Sequence, residues 1–238
     1  MKKKSKILIG VFVLLLFTIS CSKKLLKENP YGLNIVSTTR QYRQQEKKDT
    51  NNILVDLEKF ISGIVLDIRY ATKNNFTKQK LYKSAKAYVR KPVADSLLRI
   101  QNELKKRGLG LKIFDAYRPY AVTLKFYRIY RDTNFVAAPW KGSSHNTGCA
   151  VDLTLLDLKT GKELEMPTGF DDFTEKAAHG YMDLPEKAIK NRKMLKDIMV
   201  KYGFVPYSQE WWHYRYKDSK RFGLLDLTFE EIEENNNN

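Results

Sequence analysis

With 238 residues, 42% of them hydrophobic and 12% aromatic, the chain has an ordinary globular composition and length for one substantial core. A formal charge of +16 points to an anionic neighbour, although an ordinary solvated basic face would carry the same charge. No recognition helix or RNA-binding signature accompanies the charge, so nucleic acid is not expected, and anionic lipid or wall polymer fits better.

The chain opens on MKKKSK, a positive n-region, followed by ILIGVFVLLLFTI, an apolar run too short to span a bilayer comfortably. Residues 1–20 therefore read as an export signal. Cys21 directly follows Ser20, where a bacterial lipoprotein would be cut and acylated, although Thr18 stands where a leucine is usual. The expected location is the periplasm or cell envelope, with the chain held at the membrane by its signal or a lipid anchor. If Cys21 is acylated, Cys149, the second of two cysteines, has no disulfide partner and reads as a small buried side chain.

Residues 21–52 are polar with almost no periodic apolar positions and read as a tether or arm. The folded domain is expected over 53–234, with 235–238 as a tail. ISGIVLDIRY alternates Ile64, Leu66, Ile68 and Tyr70 against Val65, Asp67 and Arg69, the period of a half-buried strand, and ATKNNF reads as a loop. KPVADSLLRIQNELKKRG predicts a helix: Pro92 sits in its first turn, Val93, Leu97, Ile100 and Leu104 share a face, and Gly108 closes it.

LKIFDAYRPY predicts a strand carrying Asp115 and Arg118 at its end, and AVTLKFYRIYRD resumes a helical pattern after Pro119. In SSHNTGCAVDLTL, Val151, Leu153 and Leu155 point one way along a strand, so Asp152 points the other. PEKAIKNRKMLKDIMVKYG is a helix before Gly203, and FVPYSQEWWHYRY reads as an aromatic strand or hairpin. Helices mixed irregularly with short strands argue for a single α+β domain.

Two of the three histidines, His145 and His213, stand next to carboxylates in stretches that read as sheet ends. Catalytic zinc sites take three protein ligands and leave a fourth position for water, and His145, Asp152 and His213 supply such a set. Glu210 precedes His213 by three residues. On a regular strand the two would face opposite sides, so both reach one site only if a turn or bulge intervenes. A carboxylate there can accept a proton from water that zinc has acidified, to a pKa of about 7 in known enzymes, and pass it to a leaving amine. Arg118 suits a tetrahedral oxyanion, and an ion pair with Asp115 would use the same guanidinium. Short motifs of this kind also occur as core or solvated histidines.

The order S-x-H-x-x-G-x-A-x-D in SSHNTGCAVDLTL, with DAYRP and EWWH, resembles the zinc D-alanyl-D-alanine dipeptidases associated with vancomycin resistance, peptidase family M15. The likeness runs from about Asp67 to about Tyr216. It implies a mainly antiparallel central sheet with flanking helices, similar to D,D-peptidases and Hedgehog domains. It also implies one zinc per chain on His145, Asp152 and His213, with Glu210 as general base and acid and Arg118 stabilising the oxyanion. Ser143 falls at the family's substrate-contacting serine and Asp171, in EMPTGFDDF, where the family binds the substrate's free amine. A turn serine at Ser143, and a turn-capping role for Asp171 or Asp172, would look the same in sequence. His179 is left over and reads as structural, and of Trp211 and Trp212 one is expected in the core and one in the pocket wall.

The activity implied is hydrolysis of the D-alanyl-D-alanine dipeptide in cell-wall metabolism. The alternatives are a D,D- or L,D-carboxypeptidase trimming peptidoglycan stems and a non-catalytic zinc-binding module, against which Glu210 and Arg118 both count. The family's resistance enzymes work in the cytoplasm, whereas this chain carries an export signal. Wall turnover or dipeptide scavenging outside the inner membrane is therefore expected.

Overall fold

The computed structural model describes residues 27–236, so the proposed signal and Cys21 lie outside the described residues. β1 (Ile35–Val36) leads into α1 (Thr39–Lys48), whose first turn Thr38 caps by accepting the Gln41 N–H. β2 (Leu54–Asp56), the single-turn α2 (Leu57–Phe60) and β3 (Val65–Leu66) follow. β4 (Tyr88–Arg90) runs directly into α3 (Lys91–Lys105), with Pro92 in the first turn and Val93, Leu97, Ile100 and Leu104 buried as their spacing requires. Gly108, at φ +71°, turns the chain into β5 (Leu109–Asp115). Beyond it lie α4 (Tyr120–Ile129), β6 (Ala150–Asp157), α5 (Glu186–Lys201), β7 (Phe204–Pro206), β8 (His213–Tyr216), β9 (Leu224–Leu225) and α6 (Phe229–Asn236).

The central sheet has the order β3-β5-β6-β8-β7 and is antiparallel except where β3 runs parallel to β5. α3 packs on β5, and α5 on β6 and β7. This is the expected α+β architecture. β6 lies at its centre and is buried from Ala150 to Leu156, the large Val151, Leu153 and Leu155 alternating with Ala150, Asp152 and Thr154. Two small ladders complete the fold, β2 with β4 antiparallel and β1 with β9 parallel. Among the described residues no helix is long and apolar enough to cross a membrane.

The structure departs from the sequence reading in three places. ISGIVLDIRY keeps its alternation, with Ile68 and Tyr70 buried, but only Val65–Leu66 form a strand and the chain turns in a 3-10 helix from Arg69 to Ala71. The cause is in its neighbour: the Asp67 N–H still reaches Ile113 O, and immediately beyond that residue β5 bulges and the ladder ends. The expected tether, 21–52, is built into the fold from β1 onward. Tyr42 is fully buried with its hydroxyl 2.6 Å from the Leu54 N–H, and α1 packs on α6, where Arg43 donates to Asn235 and Asn235 to Glu46. That packing rests on one buried tyrosine and long-range polar bonds, which leave no apolar period to read. The expected tail likewise begins inside α6.

Candidate active site

Three carboxylate and imidazole side chains stand in one row across the sheet. Asp152 on β6 pairs with His213 on β8, and on its other side with Asp115 at the end of β5. An unbroken ladder from Ile113 would set Asp115 against Val151, on the apolar side, and the bulge between Ile113 and Asp115 turns it to the Asp152 side.

His145 enters from the 3-10 turn Ser144–Thr147 just before β6. A reciprocal cap holds that turn: Ser143 Oγ accepts the His145 N–H at 3.2 Å, and the Ser143 N–H donates to Asn146 Oδ1 at 2.7 Å. Gly148 ends the turn at φ +75°, where a Cβ would come within 2.7 Å of Leu54 Cδ2. His145 Nδ1 lies 2.7 Å from Ala116 O, an acceptor only, so Nδ1 carries the proton and Nε2 offers a lone pair.

That Nε2 is 3.1 Å from His213 Nδ1 and 3.4 Å from Asp152 Oδ1, and the latter two atoms are 3.0 Å apart. Ligands about 2.0–2.1 Å from a tetrahedral zinc stand roughly 3.3 Å from one another, so the three atoms are spaced as such an ion requires. Two imidazoles, one carboxylate and a backbone carbonyl fixing one ring's tautomer make a donor set that fits zinc. Burial works to raise the Asp152 carboxyl, but His145 and His213 beside it hold it well below the usual carboxylate range. Burial lowers the His213 imidazole, against the pull of Asp152, which favours the neutral ring a metal needs.

Arg118 follows the end of β5 and is nearly buried. Its Nε and Nη2 donate to Asp115 Oδ2 at 2.9 and 2.7 Å, and its guanidinium lies 4.4 Å from the Phe126 ring centroid. Nη2 is 3.8 Å from Asp152 Oδ2, so Arg118 holds its ion pair and faces the row of ligands at once. Burial opposes its charge, and Asp115, Tyr70, Tyr82 and Asp152 together more than restore it. The other Asp115 oxygen accepts the Tyr82 hydroxyl at 2.9 Å. Backbone bonds join this corner to the histidine turn: the Arg118 N–H donates to His145 O, and Asn146 Nδ2 donates to Arg118 O.

The irregularity expected between Glu210 and His213 is a turn joining β7 to β8. The Glu210 N–H donates to Tyr207 O and the His213 N–H to Glu210 O, both at 3.3 Å. Glu210 Oε2 comes to 4.0 Å from His213 Nδ1. Its carboxyl is pushed well above the ordinary glutamate value by burial and then by the negative Asp152 and Asp171.

Arg118, His145, Asp152, Glu210 and His213 line one cavity of about 360 Å³, together with Tyr70, Phe76, Asp171, Phe173 and Trp212. Asp171 sits at φ +61°, a left-handed conformation aspartate tolerates better than most residues. Its carboxylate accepts the Tyr70 hydroxyl at 2.9 Å and the Phe76 N–H at 3.4 Å, and burial pushes its pKa up to about 7. The two adjacent aspartates divide their work: Asp172 caps the Thr174 N–H, and Asp171 faces the cavity. Ser143 likewise both caps its turn and lines the cavity.

Trp212 contributes to the cavity wall, whereas Trp211 is buried with its indole N–H on Thr168. His179 lies away from the cavity lining, its pKa lowered to about 4 by burial and the nearby Lys196 and Arg192, a neutral packed ring. The Cys149 thiol is fully buried and pushed up to about 11 by burial, an unreactive state. Sequence reasoning missed Phe76 and Tyr82 altogether, and found no contact for Tyr70. Phe76 and Tyr82 lie in a loop-rich stretch with no periodicity to single them out, and the alternation that buries Tyr70 does not reveal its partner Asp171.

An α+β sheet with a His, Asp, His cluster, a buried glutamate and a paired arginine in one cavity is the constitution of a zinc metallopeptidase. Residues 50–234 match the model of the peptidase M15, D-Ala-D-Ala dipeptidase family, and the chain belongs to that family. It is 33% identical over 172 residues to the D-alanyl-D-alanine dipeptidase of Escherichia coli, covering 72% of this chain and 89% of that protein. Against the D-alanyl-D-alanine dipeptidase of Enterococcus faecium it is 31% identical over 182 residues, covering 68% of this chain and 90% of the relative. The solved structure of the LdcB LD-carboxypeptidase aligns with 62% of this chain and 69% of its own at 27% identity and a TM-score of 0.36, too loose a likeness to rest a function on.

Proposed function

We propose that the protein is a zinc-dependent dipeptidase that hydrolyses D-alanyl-D-alanine to two D-alanines in cell-wall metabolism. The observation that carries this is the meeting of His145 Nε2, Asp152 Oδ1 and His213 Nδ1 in a cavity that also holds Glu210, Arg118 and Asp171. The cavity is at the small end of the range for ligand sites, which run from about 300 to 1,000 Å³.

His145, Asp152 and His213 would hold one zinc ion, which supplies a Lewis acid for the scissile carbonyl and acidifies water. Asp171 pairs with the substrate's ammonium, and Ser143, at the start of the His145 turn, contributes a polar contact to the substrate. Arg118, fixed by Asp115, stabilises the negative charge that develops on the carbonyl oxygen. Glu210 takes a proton from the attacking water as its oxygen bonds to the carbonyl carbon. As the C–N bond breaks, Glu210 returns the proton to the leaving amine. Its raised pKa suits the second half of that exchange at neutral pH.

The test compares D-alanyl-D-alanine with a stem peptide ending in the same two residues, on wild type and Asp171→Ala. The dipeptide should be the better substrate by far and should lose most of its advantage in the variant. Equal cleavage of both substrates by wild type would instead assign a wall carboxypeptidase.

The export signal in residues 1–20 and Cys21 support a second part of the proposal, a lipid-anchored protein acting outside the inner membrane in wall turnover or dipeptide scavenging. Cell fractionation that finds the protein only in the cytosol would overturn it.

A further inference from the structure

An ion pair with Asp171 favours a free amine. Excluding longer chains also needs an obstacle where residues preceding the dipeptide would run. The wall beside Asp171 is aromatic: the Phe76 N–H bonds the carboxylate, the Phe76 ring packs 5.2 Å from Phe173, and Phe173 stacks on Phe135 at 5.0 Å and 23°. Phe135 belongs to the loop that follows α4. That loop folds on itself, with Asn134 and Val136 N–H groups both bonded to Asp132, so residues 132–136 form one unit.

One residue along, Asn134 O accepts the Tyr207 hydroxyl at 2.8 Å. Tyr207 stands on the metal-ligand side of the cavity: its ring is edge-on to His213 at 5.9 Å and its carbonyl receives the Glu210 N–H. Phe135, Asn134 and Tyr207 all line the cavity. The loop therefore lies between the Asp171 wall and the histidine wall, held on one side by ring stacking and on the other by one hydrogen bond.

We propose that Tyr207 is a specificity-determining latch: its bond to Asn134 keeps the 132–136 loop across the cavity, and that loop excludes stem peptides while admitting the free dipeptide. The inference rests on the dipeptidase reading.

Its test measures kcat/KM of the zinc-loaded wild type, Tyr207→Phe and Phe135→Ala for D-alanyl-D-alanine and for a stem pentapeptide ending in it, with melting temperatures as a check on folding. Loss of one hydrogen bond should raise the stem-to-dipeptide ratio about fivefold in Tyr207→Phe. Phe135→Ala, which removes the stacked ring, should move the ratio the same way and further. An unchanged ratio in both folded variants, with wild type still preferring the dipeptide, overturns the latch and leaves the dipeptidase reading standing. A wild type that cleaves the stem as readily as the dipeptide overturns both.

Discussion

The two walls of the cavity are built in different ways. On the metal side, Asp115, Asp152 and His213 are placed by sheet register, and His145 by a capped turn locked to Ala116 O and Arg118. On the other wall, Asp171, Phe76 and Phe173 come from loops and Tyr70 from a 3-10 turn, and Asp171 holds its place through a left-handed backbone and two hydrogen bonds. Reacting groups need sub-ångström placement, which hydrogen-bonded strands provide, whereas a selectivity pocket can be reshaped by loops without disturbing them.

The comparison predicts that damage on the sheet side removes chemistry and damage on the loop side alters substrate binding. The largest effect should come from His213→Ala or Asp152→Ala: zinc content after dialysis falls from one equivalent towards none, and D-alanine release drops to background. Glu210→Ala should retain zinc and substrate affinity but lose about 10²–10⁴ in kcat. Zinc loss in that variant would place Glu210 among the ligands instead.

Asp171→Ala should act mainly on KM and lower kcat/KM for the dipeptide about 10–150-fold, as expected for one charged hydrogen bond. The same residue sets a pH dependence. With its pKa near 7, Asp171 gains its charge as pH rises through neutrality, so KM for the dipeptide should fall from about pH 6 to 8, until the substrate amine begins to deprotonate. Asp171→Asn should flatten that slope. The smallest effect belongs to Tyr70→Phe: it removes a bond that lowers the Asp171 pKa, so KM should rise about fivefold and its pH dependence move upward. A larger effect on kcat than on KM in either variant would break the division between the walls.

Most of the candidate site was legible in sequence because its residues lie in short, fixed patterns: His145 and Asp152 flank the start of one strand, Glu210 and His213 one turn. The helical periods of α3 and α5 were equally plain. The bulge in β5 was not, since nothing in LKIFDAY distinguishes a regular strand from one with an extra residue, yet it turns Asp115 toward Asp152. Tyr70 and Tyr82 were silent because their hydroxyls bond carboxylates distant in sequence, Asp171 and Asp115. The N-terminal arm was misread because its fixed partner is α6, at the opposite end of the chain.

The most direct measurement is D-alanine release from D-alanyl-D-alanine by zinc-loaded protein lacking residues 1–21, with Glu210→Ala beside it at equal zinc content. Turnover by the wild type that falls at least about a hundredfold in the variant is the predicted result. No turnover by a wild type that holds its zinc, or equal turnover by both proteins, would contradict the account.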